Sequence, residues 1–242
     1  MLTEECVIRV GTETLAATKI FAESGNAPSV VYCHGFGATA TRSHIRYLLE
    51  YIAGYGVSSV CFDFSGNGQS TGKLEKATLA LRTQEAVAAA KFLARPDSLT
   101  IIGTSMGGHI ASLVTSEISV RSLILFCPAA YPAEVADCEF NEAFIALTKR
   151  PGAYVDSPAF KVLNTYKGNL LIVAAGQDMV IPKEVPALYA DSAPLARSKK
   201  LVWVKECDHK IHPWLQQHER ERTSVLREVL AVAMDTGRTN LS

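Results

Sequence analysis

The sequence predicts an α/β fold, with a mostly parallel central sheet, helices on both faces, an N-terminal antiparallel hairpin and a short lid insertion. Three observations carry this reading. Short β-branched runs alternate with longer stretches of helical periodicity, the pattern of strand–helix units in a parallel sheet. The runs are continuously apolar rather than alternating, as in strands buried on both faces. The length, 242 residues, suits a single α/β domain over 1–242 that can bury a sizeable core.

The elements follow in order. "CVIRV" and "LAATKIF" flank Gly11–Glu13 and read as a hairpin on the sheet edge. Six runs then read as strands: "SVVYC" (29–33), "VSSVCFDF" (57–64), "SLTIIG" (98–103), "SLILFC" (122–127), "NLLIVAAG" (169–176) and "KLVWVKE" (200–206). Between them Ile45, Leu48, Leu49 and Ile52 recur at helical spacing, as do Leu74, Ala77, Leu81, Ala88 and Phe92. Val225, Leu226, Val229, Leu230 and Ala233 mark a last helix. Residues 131–168 break the rhythm. They hold Pro132, Pro151, Gly152 and Pro158 and the aromatics Phe140, Phe144, Tyr154, Phe160 and Tyr166, without one clean helix. We read them as an insertion over the sheet, whose aromatics either line an apolar pocket or pack the insert down.

Composition narrows the class of function. Apolar residues make up 48% and charged residues 20%, with a formal net charge of zero. Nothing in that balance favours nucleic acid, an anionic membrane or an acidic partner. No apolar run approaches the roughly 18 residues of a membrane span, and "MLTEECVIRV" lacks a signal-peptide core. Cys6, Cys33, Cys61, Cys127, Cys138 and Cys207 form no CxxC pair, so no zinc cluster or redox motif is indicated. A reduced, cytoplasmic protein is expected. Monomer and homodimer are equally compatible with the sequence.

The chemistry begins at Gly103–Thr104–Ser105–Met106–Gly107. This is G-x-S-x-G directly after a strand and directly before a helix, the context that presents a serine on a strained turn. Glycine is needed where neighbouring side chains would collide with strand and helix. The turn lifts Ser105 above the carboxyl ends of the strands, where such sheets bind ligands. A serine hydroxyl needs a base. Among the six histidines, His34, His44, His109 and His218 read as ordinary loop or helix residues, leaving His209 and His212 in the loop after the last strand. His209 is preferred because it lies nearer the strand end. The acid between serine and base is Asp178, in "IVAAGQDMVIP" at another strand end. It would hold the imidazole in one tautomer. Phe36, in "HGFG", and Met106 would supply the backbone N–H groups of an oxyanion hole. No cofactor or metal is called for, and no HExxH-like spacing occurs.

Taken together, "HGFG" (34–37), "FDFSGNGQSTG" (62–72), "GTSMGG" (103–108), "GQDMVIP" (176–182) and "CDHKIH" (207–212) resemble the α/β-hydrolase superfamily. They stand in the family's order and span about residues 28–235. The first segments and "PAA" at 128–130 are most similar to bacterial feruloyl/cinnamoyl esterase-like serine hydrolases. Those esterases commonly carry histidine and glutamine where this chain has Thr104 and Met106, and their inserts are longer than 131–168. The resemblance implies a nucleophile at Ser105, an acid at Asp178, a base at His209 and oxyanion donors at Phe36 and Met106. It gives Asp63 a structural role only. The expected activity is hydrolysis of carboxylic esters of small or medium acyl groups, a small-molecule ester being the partner. Thioester, amide or C–C bond cleavage and acyl transfer use the same residues. A non-catalytic binding protein on this scaffold is the reading from another class.

Overall fold

The computed structural model describes residues 2–92 and 98–235. Its centre is an eight-stranded sheet of order β1-β2-β4-β3-β5-β6-β7-β8. The strands are β1 (Leu2–Val10), β2 (Glu13–Phe21), β3 (Val30–Cys33), β4 (Ser59–Phe62), β5 (Thr100–Thr104), β6 (Ser122–Phe126), β7 (Asn169–Ala175) and β8 (Ser198–Val204). The β1–β2 hairpin and the β2–β4 pair are antiparallel. From β4 through β3, β5, β6 and β7 to β8 every pairing is parallel. The expected edge hairpin is therefore present. Gly11, with φ +57°, turns the chain where Val10 pairs with Glu13.

The continuous apolar runs have a simple cause. Val31, Ile101, Leu123 and Ile172 face one core while Tyr32, Ile102, Ile124 and Val173 face the other. Helices α2 (Leu79–Phe92), α3 (Met106–Val114), α5 (Pro158–Leu163) and α6 (Val185–Asp191) cover the first face. Helices α1 (Arg46–Ala53), α7 (Ile211–Gln217) and α8 (Glu219–Met234) cover the second. β8 is an edge strand and correspondingly half exposed.

Two sequence readings need correction. The spacing placed Leu74, Ala77, Leu81, Ala88 and Phe92 on one inward helical face. In fact the helix begins at Leu79, and its buried residues are Leu79, Arg82, Glu85, Ala86, Ala89 and Ala90, while Phe92 is exposed. Hydropathy treats Arg82 and Glu85 as surface residues, whereas here they neutralise each other inside. The stretch 131–168 also divides. α4 (Glu142–Thr148) lies in the part over the sheet ends, whereas α5 packs on α3 with Ala159, Phe160 and Leu163 buried in the core. The covering segment is thus the shorter 131–157.

Candidate active site

The predicted site residues lie at the carboxyl ends of parallel strands, in the loops there or, for Met106, at the start of α3. "HGFG" follows β3, Ser105 follows β5, Cys127 follows β6, Asp178 follows β7 and His209 follows β8. Ser105 has φ +53°, a conformation rare for a residue with a side chain and costly unless the surroundings hold it. Its N–H donates to the Phe126 carbonyl at 2.9 Å, and its own carbonyl accepts from Ala129 and Gly108 at 3.0 and 2.9 Å. A Cβ on Gly103 would strike the Gly107 carbonyl, and one on Gly107 the Cys33 carbonyl. The glycines around Ser105 are what allow strand, turn and helix to pack this closely.

The structure brings Ser105, His209 and Asp178 into one hydrogen-bonded chain. His209 Nε2 is 3.1 Å from Ser105 Oγ, and His209 Nδ1 is 2.8 Å from Asp178 Oδ2. Asp178 Oδ1 accepts from the N–H groups of Val180 and Ile181 at 2.8 and 2.9 Å. Burial pulls the Asp178 carboxyl upward, but the bond to His209 and those two N–H groups outweigh it and leave the pKa lowered. A carboxylate on Nδ1 leaves Nε2 unprotonated toward the serine. Asp208, beside His209, instead accepts from the Lys210 N–H at 2.9 Å.

Phe36 and Met106 flank the serine. Met106 is the first residue of α3, so its N–H has no intrahelical acceptor. The Gly35–Gly37 loop lies against the elbow, a Cβ on Gly35 falling 3.4 Å from Ser105 Cβ. Within this loop His34 Nδ1 donates to the Gly35 carbonyl at 2.8 Å, and Nε2 accepts from the Phe64 N–H at 3.0 Å. Asn67 Nδ2 donates to the Gly37 carbonyl at 2.8 Å, and Arg82, paired with Glu85, donates to Asn67 Oδ1 at 3.1 Å. Asp63 is buried and holds Arg42 and the backbone of Gln69, away from Ser105.

A cleft of about 640 Å³ opens beside Ser105 and His209. Its walls are mainly apolar, with Phe36, Tyr131, Phe144, Ile145 and Ile181 among them. The insertion's aromatics split between two duties. Phe144 and Tyr154 line the cleft, whereas Phe160 packs on Tyr189 and the Tyr166 hydroxyl donates to the Asn169 carbonyl. The Phe36 ring is held by Phe140 and Phe144, with centroids 5.1 and 5.9 Å away.

Sequence reasoning missed several residues here. His34 and His109, read as ordinary loop or helix residues, are buried, as is His212, the second candidate for the base. His212 contacts Thr104 and Tyr47. Cys127, for which the sequence indicates no role, has φ +42°, and its thiol lies within 4.8 Å of the Asp178 carboxylate and the His209 ring nitrogen. A side chain following the end of a central strand was the available signal for it.

This sheet order and a G-x-S-x-G elbow at the carboxyl ends of the strands define an α/β-hydrolase. The family model for the alpha/beta hydrolase fold matches residues 28–147, and the chain belongs to that superfamily. Solved structures share the fold at low identity. Est1E from Butyrivibrio proteoclasticus with bound ferulic acid is 20% identical at a TM-score of 0.74, covering 93% of this chain and 98% of its own. A thioesterase domain from the curacin biosynthetic pathway is 14% identical at a TM-score of 0.68, over 93% and 99%. A serine hydrolase involved in carbazole degradation, the CarC enzyme, is 17% identical at 0.67, over 94% and 100%. No curated protein matches the chain by sequence. No helix among the described residues is long and apolar enough to cross a membrane.

Proposed function

We propose that this protein is a serine esterase that cleaves carboxylic esters of small or medium acyl groups. The observation that carries the reading is the chain Ser105 Oγ–His209 Nε2 at 3.1 Å and His209 Nδ1–Asp178 Oδ2 at 2.8 Å, at the edge of an apolar cleft. Ser105 Oγ attacks the ester carbonyl carbon as His209 Nε2 takes its proton. The N–H groups of Phe36 and Met106 receive the oxyanion. On collapse the C–O bond breaks, and the proton on His209 passes to the departing alcohol. His209 then takes a proton from water, whose oxygen attacks the acyl-enzyme. The carboxylic acid leaves and Ser105 regains its proton. Asp178 stays ionised throughout and steadies the imidazolium, which agrees with its lowered pKa.

The apolar walls of the cleft support an acyl or alcohol portion that is itself apolar. The six cysteines are free thiols, which supports a reducing, cytoplasmic setting. Covering segment 131–157 acts as a small lid within one domain. Hydrolysis of p-nitrophenyl butanoate by the wild type and by Ser105→Ala tests the proposal. A fall of about three orders of magnitude or more in kcat is expected for the variant, and equal rates would remove the assignment.

A further inference from the structure

Thr104 and His212 lie one residue before Ser105 and three residues after His209. They come from different elements, the end of β5 and the first turn of α7. Their side chains meet, with Thr104 Oγ1 2.7 Å from His212 Nε2. On the far side His212 Nδ1 is 3.2 Å from the Tyr47 hydroxyl on α1. The His212 ring is buried, its centroid 4.9 Å from that of Phe126 and 6.2 Å from that of Tyr32, which it meets edge to face. Phe126 also accepts the Ser105 N–H through its carbonyl. The two chain segments that carry Ser105 and His209 are therefore tied together once through Ser105–His209 and a second time, a few residues away, through Thr104–His212.

We propose that Thr104, His212 and Tyr47 form a positioning strut that sets the separation between Ser105 Oγ and His209 Nε2. The inference rests on Ser105 and His209 being nucleophile and base. Burial pushes the His212 pKa down to about 3, so this imidazole remains neutral at working pH. A neutral imidazole with one N–H bridges two hydroxyls, each of which can donate or accept. The strut leaves substrate untouched. It acts on the geometry of proton transfer, where small displacements are costly.

The test compares Thr104→Val, nearly isosteric but without the hydroxyl, with Thr104→Ser, which keeps it. Both kcat and the rate of Ser105 labelling by a fluorophosphonate are measured. For Thr104→Val we expect both to fall by about 10-fold or more, with KM changed less than about 2-fold. Thr104→Ser is expected to stay within about 3-fold of the wild type in both. In Thr104→Ser the pH midpoint of kcat/KM stays at the wild-type value, because His209 remains the base. Wild-type kcat in Thr104→Val, a change confined to KM, or an equal loss in Thr104→Ser would overturn the strut. If Thr104→Val does not fold, Tyr47→Phe carries the test. It is expected to lower kcat about 2- to 5-fold at unchanged KM, and an unchanged kcat would overturn the proposal. Absence of labelling in the wild type would instead remove the underlying esterase reading, so the two failures are distinguishable.

Discussion

Asp178 Oδ2 and His209 Nδ1 stand 2.8 Å apart, and the remaining Asp178 oxygen is occupied by two backbone N–H groups. The carboxylate is thus held from both sides and presents one acceptor to the imidazole. Asp178→Asn keeps the size but offers an N–H in place of an oxygen, which favours the other histidine tautomer. We expect kcat for p-nitrophenyl butanoate to fall by about 10³ to 10⁴ with little change in KM. Steady-state kinetics of the purified variant check this, and a loss under 10-fold would be inconsistent with the role (about 1.4 kcal/mol per factor of ten).

Arg82 and Glu85 form an ion pair on α2 whose side chains are both 0% exposed. Removing one partner strands the other charge in the core. Arg82→Met is expected to destabilise the fold by about 3–5 kcal/mol, and Arg82→Met with Glu85→Met to recover most of that. Urea unfolding of the two singles and the double measures the coupling. Because Arg82 also holds Asn67, and Asn67 holds the Gly37 carbonyl, the single variant should lose activity as well as stability.

Acid should destabilise this protein in a defined window. Burial lowers the pKa of His34 to about 4 and of His109 and His212 to about 3, against about 6.5 in an unfolded chain. The unfolded state therefore binds protons that the folded state refuses. Stability is fully present above pH about 6.5 and declines as pH falls toward about 4, by up to about 1.4 kcal/mol per pH unit for each histidine. Asp178, with its lowered pKa, adds a loss of the same sign at still lower pH. Thermal unfolding at pH about 7.5, 6 and 5 should show a progressively lower Tm; a flat profile would contradict the burial argument.

Phe144 is buried and stands in the cleft wall against Phe36, Tyr131 and Phe140. Phe144→Ala should widen the cleft and move the kcat/KM optimum toward longer acyl chains, at a stability cost of about 3–5 kcal/mol. A series of butanoyl, octanoyl and dodecanoyl p-nitrophenyl esters reads the shift, and an unchanged preference would place the acyl group elsewhere.

The sequence and the structure agree best where local signals sufficed. Ser105 and Asp178 each follow a buried apolar run, His209 follows the half-exposed edge strand β8, and their order along the chain leaves few ways to combine them. The edge hairpin was equally legible, from Gly11 between two β-like runs. The inner face of α2 was not, because hydrophobic periodicity assigns Arg82 and Glu85 to solvent and cannot see that each cancels the other. Nor was the Thr104–His212 contact, which joins positions 108 residues apart and depends on how α7 docks. Residues 131–168 looked like one insertion because Pro158, which starts α5, reads equally well as a loop residue. Its membership of the core follows only from packing on α3.

Mass-spectrometric mapping of a fluorophosphonate adduct tests the central claim most directly, since only an activated serine reacts at a useful rate. The account expects a single adduct on the peptide holding Ser105, formed quickly by the wild type and absent in Ser105→Ala, with labelling strongly slowed in His209→Ala. No adduct on folded wild-type protein, or an adduct on another residue that persists in Ser105→Ala, would contradict it.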